Sequence, residues 1–108
     1  MELDDRDRTI TPEERGIVKA VLGPMMSALA AQNENGLVSA GDVTRVLSFA
    51  IGAILETDDR MVTPRDVRQA GEYVGKLVAH HVKALRAEGE VTGGSFMADI
   101  VSHTIDER

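Results

Sequence analysis

One short pattern recurs along the chain and marks where helices begin: an apolar residue, then serine or threonine, and usually an acidic residue three positions later. It reads Ile10-Thr11-Pro12-Glu13-Glu14, Val38-Ser39-Ala40-Gly41-Asp42, Val62-Thr63-Pro64-Arg65-Asp66 and, without the acid, Val91-Thr92-Gly93-Gly94-Ser95. The hydroxyl oxygen accepts a hydrogen bond from a free backbone N–H of the first turn, and the acid bonds back to the N–H of the hydroxyl residue. Four such starts within 108 residues predict an all-α fold.

Apolar periodicity extends each start into a helix. The first predicted helix, 12–31, has apolar residues at three- and four-residue steps, which form one stripe. Gly23-Pro24 interrupts this helix, because proline removes a backbone hydrogen bond and crowds the preceding turn. The stripe continues in phase beyond the proline, so we expect a kink and not a break. A turn at 32–36 follows, with Gly36 as the helix stop.

The remaining helices predict how the domain is arranged. The helix 40–56 is apolar nearly all round in its second half, which favours burial on most sides and a central position. A longer helix at 64–88, ending at Gly89, carries a near-heptad stripe, and a short one is expected at 96–105. We therefore predict a compact three- or four-helix bundle with a central apolar helix and a kinked first helix. Residues 10–105 form the single domain, and residues 1–9 form a disordered acidic arm.

Composition excludes several classes of function. The net charge is −6 and there is no cysteine, so there is no disulfide framework, thiol nucleophile or thiolate zinc site. The basic residues of helix 64–88 are interleaved with acids, which makes nucleic acid an improbable partner. The longest apolar run, 47–55, is far too short to span a membrane, and the polar N-terminus does not resemble a secretory leader. The expected location is the cytoplasm, with no membrane association.

The segment 31–42 resembles an EF-hand calcium loop. Asn33, Asn35, Ser39 and Asp42 stand at the third, fifth, ninth and twelfth places, and Gly36 stands at the sixth. The resemblance implies a calcium-responsive ion-binding switch, with Asn33, Asn35, Ser39 and Asp42 as weak candidate metal ligands. The first place, normally aspartate, is alanine, and the bidentate glutamate is replaced by the shorter Asp42. The same serine and aspartate also form a helix start, so the primary expectation is that no metal binds.

The segment 60–67, Arg-Met-Val-Thr-Pro-Arg-Asp-Val, resembles the entry to the last helix of histone-fold proteins. That resemblance implies a nucleic-acid-binding helical bundle, the second alternative. The chain departs from the family in three ways. Only about seventeen helical residues precede the entry, the helix that follows is too long, and the basic DNA-facing surface is missing.

The polar residues do not form a catalytic constellation. His80 and His81 are adjacent on a helix and point about 100° apart, so they cannot chelate one ion together. Asp58 and Asp59 lie side by side between two helices, whereas a paired acid and base must face each other across a cleft. We interpret the aspartates as turn residues. The prediction is a protein without catalytic residues or cofactor.

Two features remain as candidates for binding a partner. Methionines fill cores, but Met25 and Met26 directly follow the Gly23-Pro24 interruption, where paired methionines can also form an adaptable groove. His81 lies on the apolar stripe of helix 64–88 and is expected to be partly buried, with a pH-sensitive switch or a metal ligand as alternatives. We predict that Gly23, Pro24, Met25, Met26 and His81 contact a partner. The predicted function is a small acidic non-catalytic interaction or regulatory module that forms a homodimer or binds another protein.

Overall fold

The computed structural model describes residues 2–98 and 100. Four helices follow one another along the chain: α1 (Asp5–Arg8), α2 (Pro12–Gln32), α3 (Ala40–Glu56) and α4 (Pro64–Thr92). Residues 96–98 and 100 are also helical, and no strand occurs among the described residues. The predicted all-α class is confirmed.

The three acidic helix-start signals act as predicted. Thr11, Ser39 and Thr63 are the N-cap residues of α2, α3 and α4, and each forms a complete capping box with the acid three residues later. At the start of α4, the Thr63 hydroxyl oxygen accepts from the Asp66 N–H at 3.2 Å, and the Asp66 carboxylate accepts from the Thr63 N–H at 2.9 Å. These contacts join residues that are three positions apart, which explains why the sequence alone predicts where the helices start.

Replacing Thr63 with alanine should lower the free energy of unfolding by about 1 kcal/mol, the usual cost of losing an N-cap side chain. Thr44→Ala is the matched control, since Thr44 lies exposed inside α3 and caps no helix. Urea denaturation followed by circular dichroism measures both variants. Equal midpoints and slopes for Thr63→Ala and the unmodified chain would show that this cap does not hold the start of α4.

The fourth start signal was predicted wrongly. The helix α4 does not end at Gly89 but runs on to Thr92, and Gly93 terminates it in the left-handed conformation with φ of 77°. The Gly93 N–H donates to the Gly89 carbonyl at 2.8 Å. The next N-cap is Ser95, whose Oγ accepts from the Ala98 N–H at 3.0 Å. A glycine inside a helix costs only about 1 kcal/mol, so Gly89 did not stop α4.

The final predicted helix, 96–105, is described only in part. Residues 96–98 and 100 are helical, while residues 99 and 101–105 lie outside the described residues. The C-terminal boundary of the predicted domain, 10–105, lies outside them too. Ile100 is buried, with 3% of its surface exposed.

A short helix lies within residues 1–9, the segment that the sequence predicts to be a disordered arm. Residues 5–8 form α1, whose N-cap Asp4 makes a reciprocal capping box with Asp7. The short helix packs against α4, where Tyr73 donates a hydrogen bond to the Asp7 carboxylate. A local capping box and a distant hydroxyl on α4 therefore order this segment, despite its high charge.

The described part of the chain does not enclose a compact core. The radius of gyration is 15.9 Å, whereas a compact domain of this length has about 13 Å. The packed pairs are α1 with α4 and α2 with α3. Among the described residues only Gly23 and Ile100 are buried, so the predicted bundle with helix 40–56 at its centre is not confirmed. One face of α3 contacts α2, and no other described helix packs extensively on α3.

Pro24 lies inside α2, which extends on both sides of it from Pro12 to Gln32. The prediction that the helix continues past the proline is confirmed. The kink itself stays a prediction.

Candidate protein-binding surface

The second half of α3 presents apolar side chains to solvent. Phe49 is 80% exposed and Ile54 is 69% exposed, and Ile51 is also exposed. No charged residue occurs between Arg45 and Glu56. Exposed apolar side chains that occur close together on a folded chain mark a candidate interaction site. No described helix is long and apolar enough to cross a membrane.

One edge of α4 is exposed and apolar as well. Val67, Val78, Val82 and Leu85 are spaced so that all four fall on the same side of a 3.6-residue helix. The opposite edge of the α4 stripe includes Leu77 and is half-buried. Only part of the predicted stripe of this helix is therefore covered within the chain.

An apolar groove lies between the start of α2, the second half of α4 and the segment that follows α4. We call it the Phe96 groove; its volume is about 240 Å³. Its lining residues are Arg8, Ile10, Arg15, Val18, His81, Ala84, Leu85 and Phe96. The groove is large enough to accept a side chain or a small apolar group.

Ionic contacts fix the rim of the Phe96 groove. The Arg15 guanidinium donates two hydrogen bonds to the Glu88 carboxylate, at 3.1 and 2.8 Å, which ties α2 to α4. These bonds lower the pKa of Glu88 below its usual value. The Arg15 guanidinium and the Lys19 ammonium also lie 5.6 and 5.5 Å from the centre of the Phe96 ring, within the range of cation–π attraction. Two cations and one ion pair thus hold the aromatic wall of the groove in place.

A second contact joins α1 to α4 next to this groove. The Tyr73 hydroxyl donates to the Asp7 carboxylate at 2.5 Å, and the His80 Nε2 lies 3.1 Å from the Arg8 carbonyl oxygen. The bond from Tyr73, followed by a backbone bond from Asp4, lowers the pKa of Asp7. The same bond to Asp7, followed by desolvation, raises the pKa of Tyr73 above 10.0.

The pKa shifts predict when α1 leaves α4. Because the pKa of Asp7 is lowered in the folded state, its contribution to stability is fully present above the unfolded pKa of about 3.9. That contribution is lost as the pH falls through the lowered pKa. Because the pKa of Tyr73 is raised in the folded state, its contribution to stability is fully present below the unfolded pKa of about 10. That contribution is lost as the pH rises through the raised pKa. The contact between α1 and α4 should therefore persist across the whole neutral range.

Tyr73 is the only tyrosine and there is no tryptophan, so ultraviolet absorbance reports its ionisation directly. We expect titration of the phenolate above pH 10 in the unmodified chain and a lower pKa, close to 10, in the variant Asp7→Asn. Asp5→Asn is the matched control, because Asp5 lies in the same turn but makes no bond to Tyr73. If Asp7→Asn titrates like the unmodified chain, α1 does not pack on α4 through this bond.

The residues predicted to contact a partner are not brought together. His81 is half-buried, as predicted, and lines the Phe96 groove. Gly23 is buried, Pro24 is exposed, and Met25 and Met26 are half-buried, but none of these four lines that groove. They lie on α2 more than one turn beyond Val18, so they stay a separate prediction.

The sequence patterns did not single out Phe49, which is exposed, or Phe96, which is half-buried at the groove. One signal for Phe49 was present: a helix that is apolar on all sides needs cover on all sides, and the other predicted helices are too few to supply it. The position of Phe96 depends on the turn at Gly93 and on contacts with α2, so only the tertiary structure places it at a groove.

The candidate calcium ligands are engaged in local hydrogen bonds. The Asn35 side-chain oxygen accepts from the Leu37 N–H at 3.0 Å, and the Asn33 amide donates to the Leu37 carbonyl at 2.6 Å. Ser39 and Asp42 form the capping box of α3, and the backbone bond from Ser39 is the main cause of the lowered pKa of Asp42. These four residues line one open surface depression, where they shape a turn and a helix start.

The acidic pair between α3 and α4 occupies a turn, as predicted. Asp58 accepts from the backbone and the guanidinium of Arg60, and the guanidinium is the main cause of a pKa of about 2 for Asp58. His80 and His81 stack edge to face with ring centres 5.3 Å apart. Within the described part of the chain, no three histidine, aspartate or glutamate side chains meet in a way that could hold a metal ion.

No protein-family model, curated protein or solved structure matches this chain. Its function is therefore inferred from the exposed apolar faces of α3 and α4 and from the Phe96 groove.

Proposed function

We propose that the chain is a non-catalytic helical interaction module that works as a homodimer. In this proposal a second copy covers the exposed half of α3 and the exposed edge of α4. Two chains then complete the compact bundle with a central apolar helix, which the described part of one chain does not form. The single observation that carries the proposal is the exposure of Phe49 and Ile54.

The exposed area supports a large interface. The accessible surface of the chain is 8531 Å², whereas a compact monomer of 11.6 kDa exposes about 5,800 Å² by the scaling of surface with mass. The excess of about 2,700 Å² exceeds the roughly 800 Å² that each partner buries in a standard interface.

The chemistry of α3 favours a second copy as the partner. Interface centres are depleted of charge and enriched in aromatic residues, and the stretch 46–55 is free of charge and contains Phe49. Burying a charged side chain is unfavourable, and covering this stretch buries no charged side chain of α3. Most soluble oligomers are symmetric homo-oligomers, and two-fold dimers are the commonest kind.

The test is the mass of the full chain in solution. Multi-angle light scattering across a wide concentration range should give twice the 11.6 kDa chain mass. The melting temperature should rise with concentration, because association stabilises the folded state by mass action. A chain mass at every concentration, with a constant melting temperature, would overturn the proposal.

A matched pair of variants locates the interface. Ile54→Glu places a charge in the exposed apolar half of α3 and should weaken the dimer by at least about 100-fold, a loss typical of a hot-spot residue. Thr44→Glu adds the same charge at an exposed polar position of the same helix and should leave the dimer intact. If Ile54→Glu dimerises as well as Thr44→Glu does, the second copy does not cover α3.

A further inference from the structure

We infer that the Phe49 ring of one copy occupies the Phe96 groove of the second copy, and the reverse, so that two equivalent ring-in-groove contacts hold the dimer. This inference rests on the proposed homodimer. It assigns to Phe49 a specific binding site on the partner, in place of a general apolar contact.

The groove has the size and lining that an aromatic ring requires. A dry cavity of about 150 Å³ lined by aliphatic and aromatic side chains accepts benzene, and the Phe96 groove has a volume of about 240 Å³. Ile10, Val18 and Leu85 on its walls are each between 37% and 39% exposed. The described part of the chain covers these residues only in part and leaves one side of each open to a second group.

Phe49 is the aromatic ring that the single chain leaves without a role. The chain has three such residues: Tyr73 is bonded to Asp7, Phe96 lies under two cations, and Phe49 is exposed. A buried phenylalanine contributes between about 150 and 250 Å² of interface area. Aromatic anchors that fill pockets on the partner dominate the binding energy of protein interfaces.

The two features lie on different helices, and symmetry pairs them. Phe49 is on α3, whereas the groove is lined by residues of α1, α2 and α4, by Ile10 and by Phe96. With 80% of its surface exposed, Phe49 does not occupy the groove of its own chain. In a two-fold dimer a residue of the first copy that contacts a site on the second also has its site contacted in return. With one ring and one groove per chain, each ring in a closed dimer therefore occupies the groove of the other copy.

The test uses one variant without the ring and one with a filled groove. Phe49→Ala removes the ring, and Ala84→Trp places an indole in the groove. Each homodimer loses both contacts and should dissociate at least about 100-fold more readily, as expected for loss of aromatic anchors. Val91→Ala is the control, because Val91 is 88% exposed and lies outside α3 and the groove lining; its dimer should be unchanged.

Mixing the two variants separates this inference from dimerisation in general. In the mixed dimer the ring of the Ala84→Trp copy meets the open groove of the Phe49→Ala copy, so one of the two contacts is restored. Its dissociation constant, measured by fluorescence energy transfer between labelled chains, should lie near the geometric mean of the unmodified and variant values.

The possible outcomes separate the two hypotheses. A monomeric unmodified chain refutes both the homodimer and the ring-in-groove contact. A dimeric unmodified chain whose variants form no mixed dimer stronger than either parent refutes the contact alone. The contact is also refuted if Ala84→Trp weakens the dimer while Phe49→Ala does not, because the groove then holds another segment.

Discussion

Replacing Pro24 with alanine should destabilise the folded protein, although helix propensity alone predicts a gain of about 3 kcal/mol from the same change. Pro24 lies in the interior of α2, and the preceding Gly23 is buried. The apolar stripe of α2 runs through the proline in register, so a single regular helix has no need of it. We expect Pro24 to set the direction in which α2 follows α3, and its loss to lower the melting temperature or change the oligomeric mass.

Pro12→Ala is the matched control for this variant. Pro12 is at the first helical position of α2, where proline is well tolerated and its replacement has little effect. Thermal melts and light scattering on both variants measure the melting temperature and the mass. A Pro24→Ala variant that is more stable, keeps its mass and loses a bound partner would instead assign residues 23–26 to a binding groove.

Alanine at Gly89 and alanine at Gly75 should change stability in opposite directions, although both positions lie inside α4. A Cβ atom built at Gly89 would lie 2.8 Å from the Gly94 carbonyl oxygen, whereas one built at Gly75 meets nothing within 4 Å. Gly75→Ala should therefore gain about 1 kcal/mol from helix propensity. In Gly89→Ala an overpacking cost of about 1–3 kcal/mol opposes that gain, so we expect a net loss.

The physical reason is the tight turn that returns the chain from α4 towards α2. The Gly94 carbonyl oxygen belongs to the backbone and cannot move aside alone. The turn and the Phe96 ring that follows it must therefore shift together. Chemical denaturation of the two variants measures the difference in unfolding free energy. Equal stabilisation by both substitutions would mean that the turn is not held against α4.

The positions of the helices are largely determined by the sequence, because helix starts depend on contacts between neighbouring residues. Thr11, Ser39 and Thr63 each cap a helix through an acid three positions away, and the predicted bounds of α3 are those observed. The missed starts had local signals as well. Asp4 precedes Asp7 by three residues at α1, and Ser95 follows a pair of glycines that ends α4.

The turn residues follow the same rule. Asp58 and Asn35 bond to backbone groups two residues further on, so their structural roles are set by residue type and spacing. The candidate calcium ligands could thus be interpreted from the sequence as turn and cap residues, and their geometry agrees with that interpretation.

The relative placement of the helices was decided by the tertiary structure alone. An apolar stripe predicts that a helix face will be covered but does not specify what covers it. Helix 40–56 is therefore predicted to be central, although Phe49 on it is exposed. The contacts of Tyr73 with Asp7 and of Arg15 with Glu88 join residues 66 and 73 positions apart, and no local pattern encodes such pairs. Capping depends on neighbours in sequence and was predictable, whereas the groove and the exposed face depend on which distant surfaces meet.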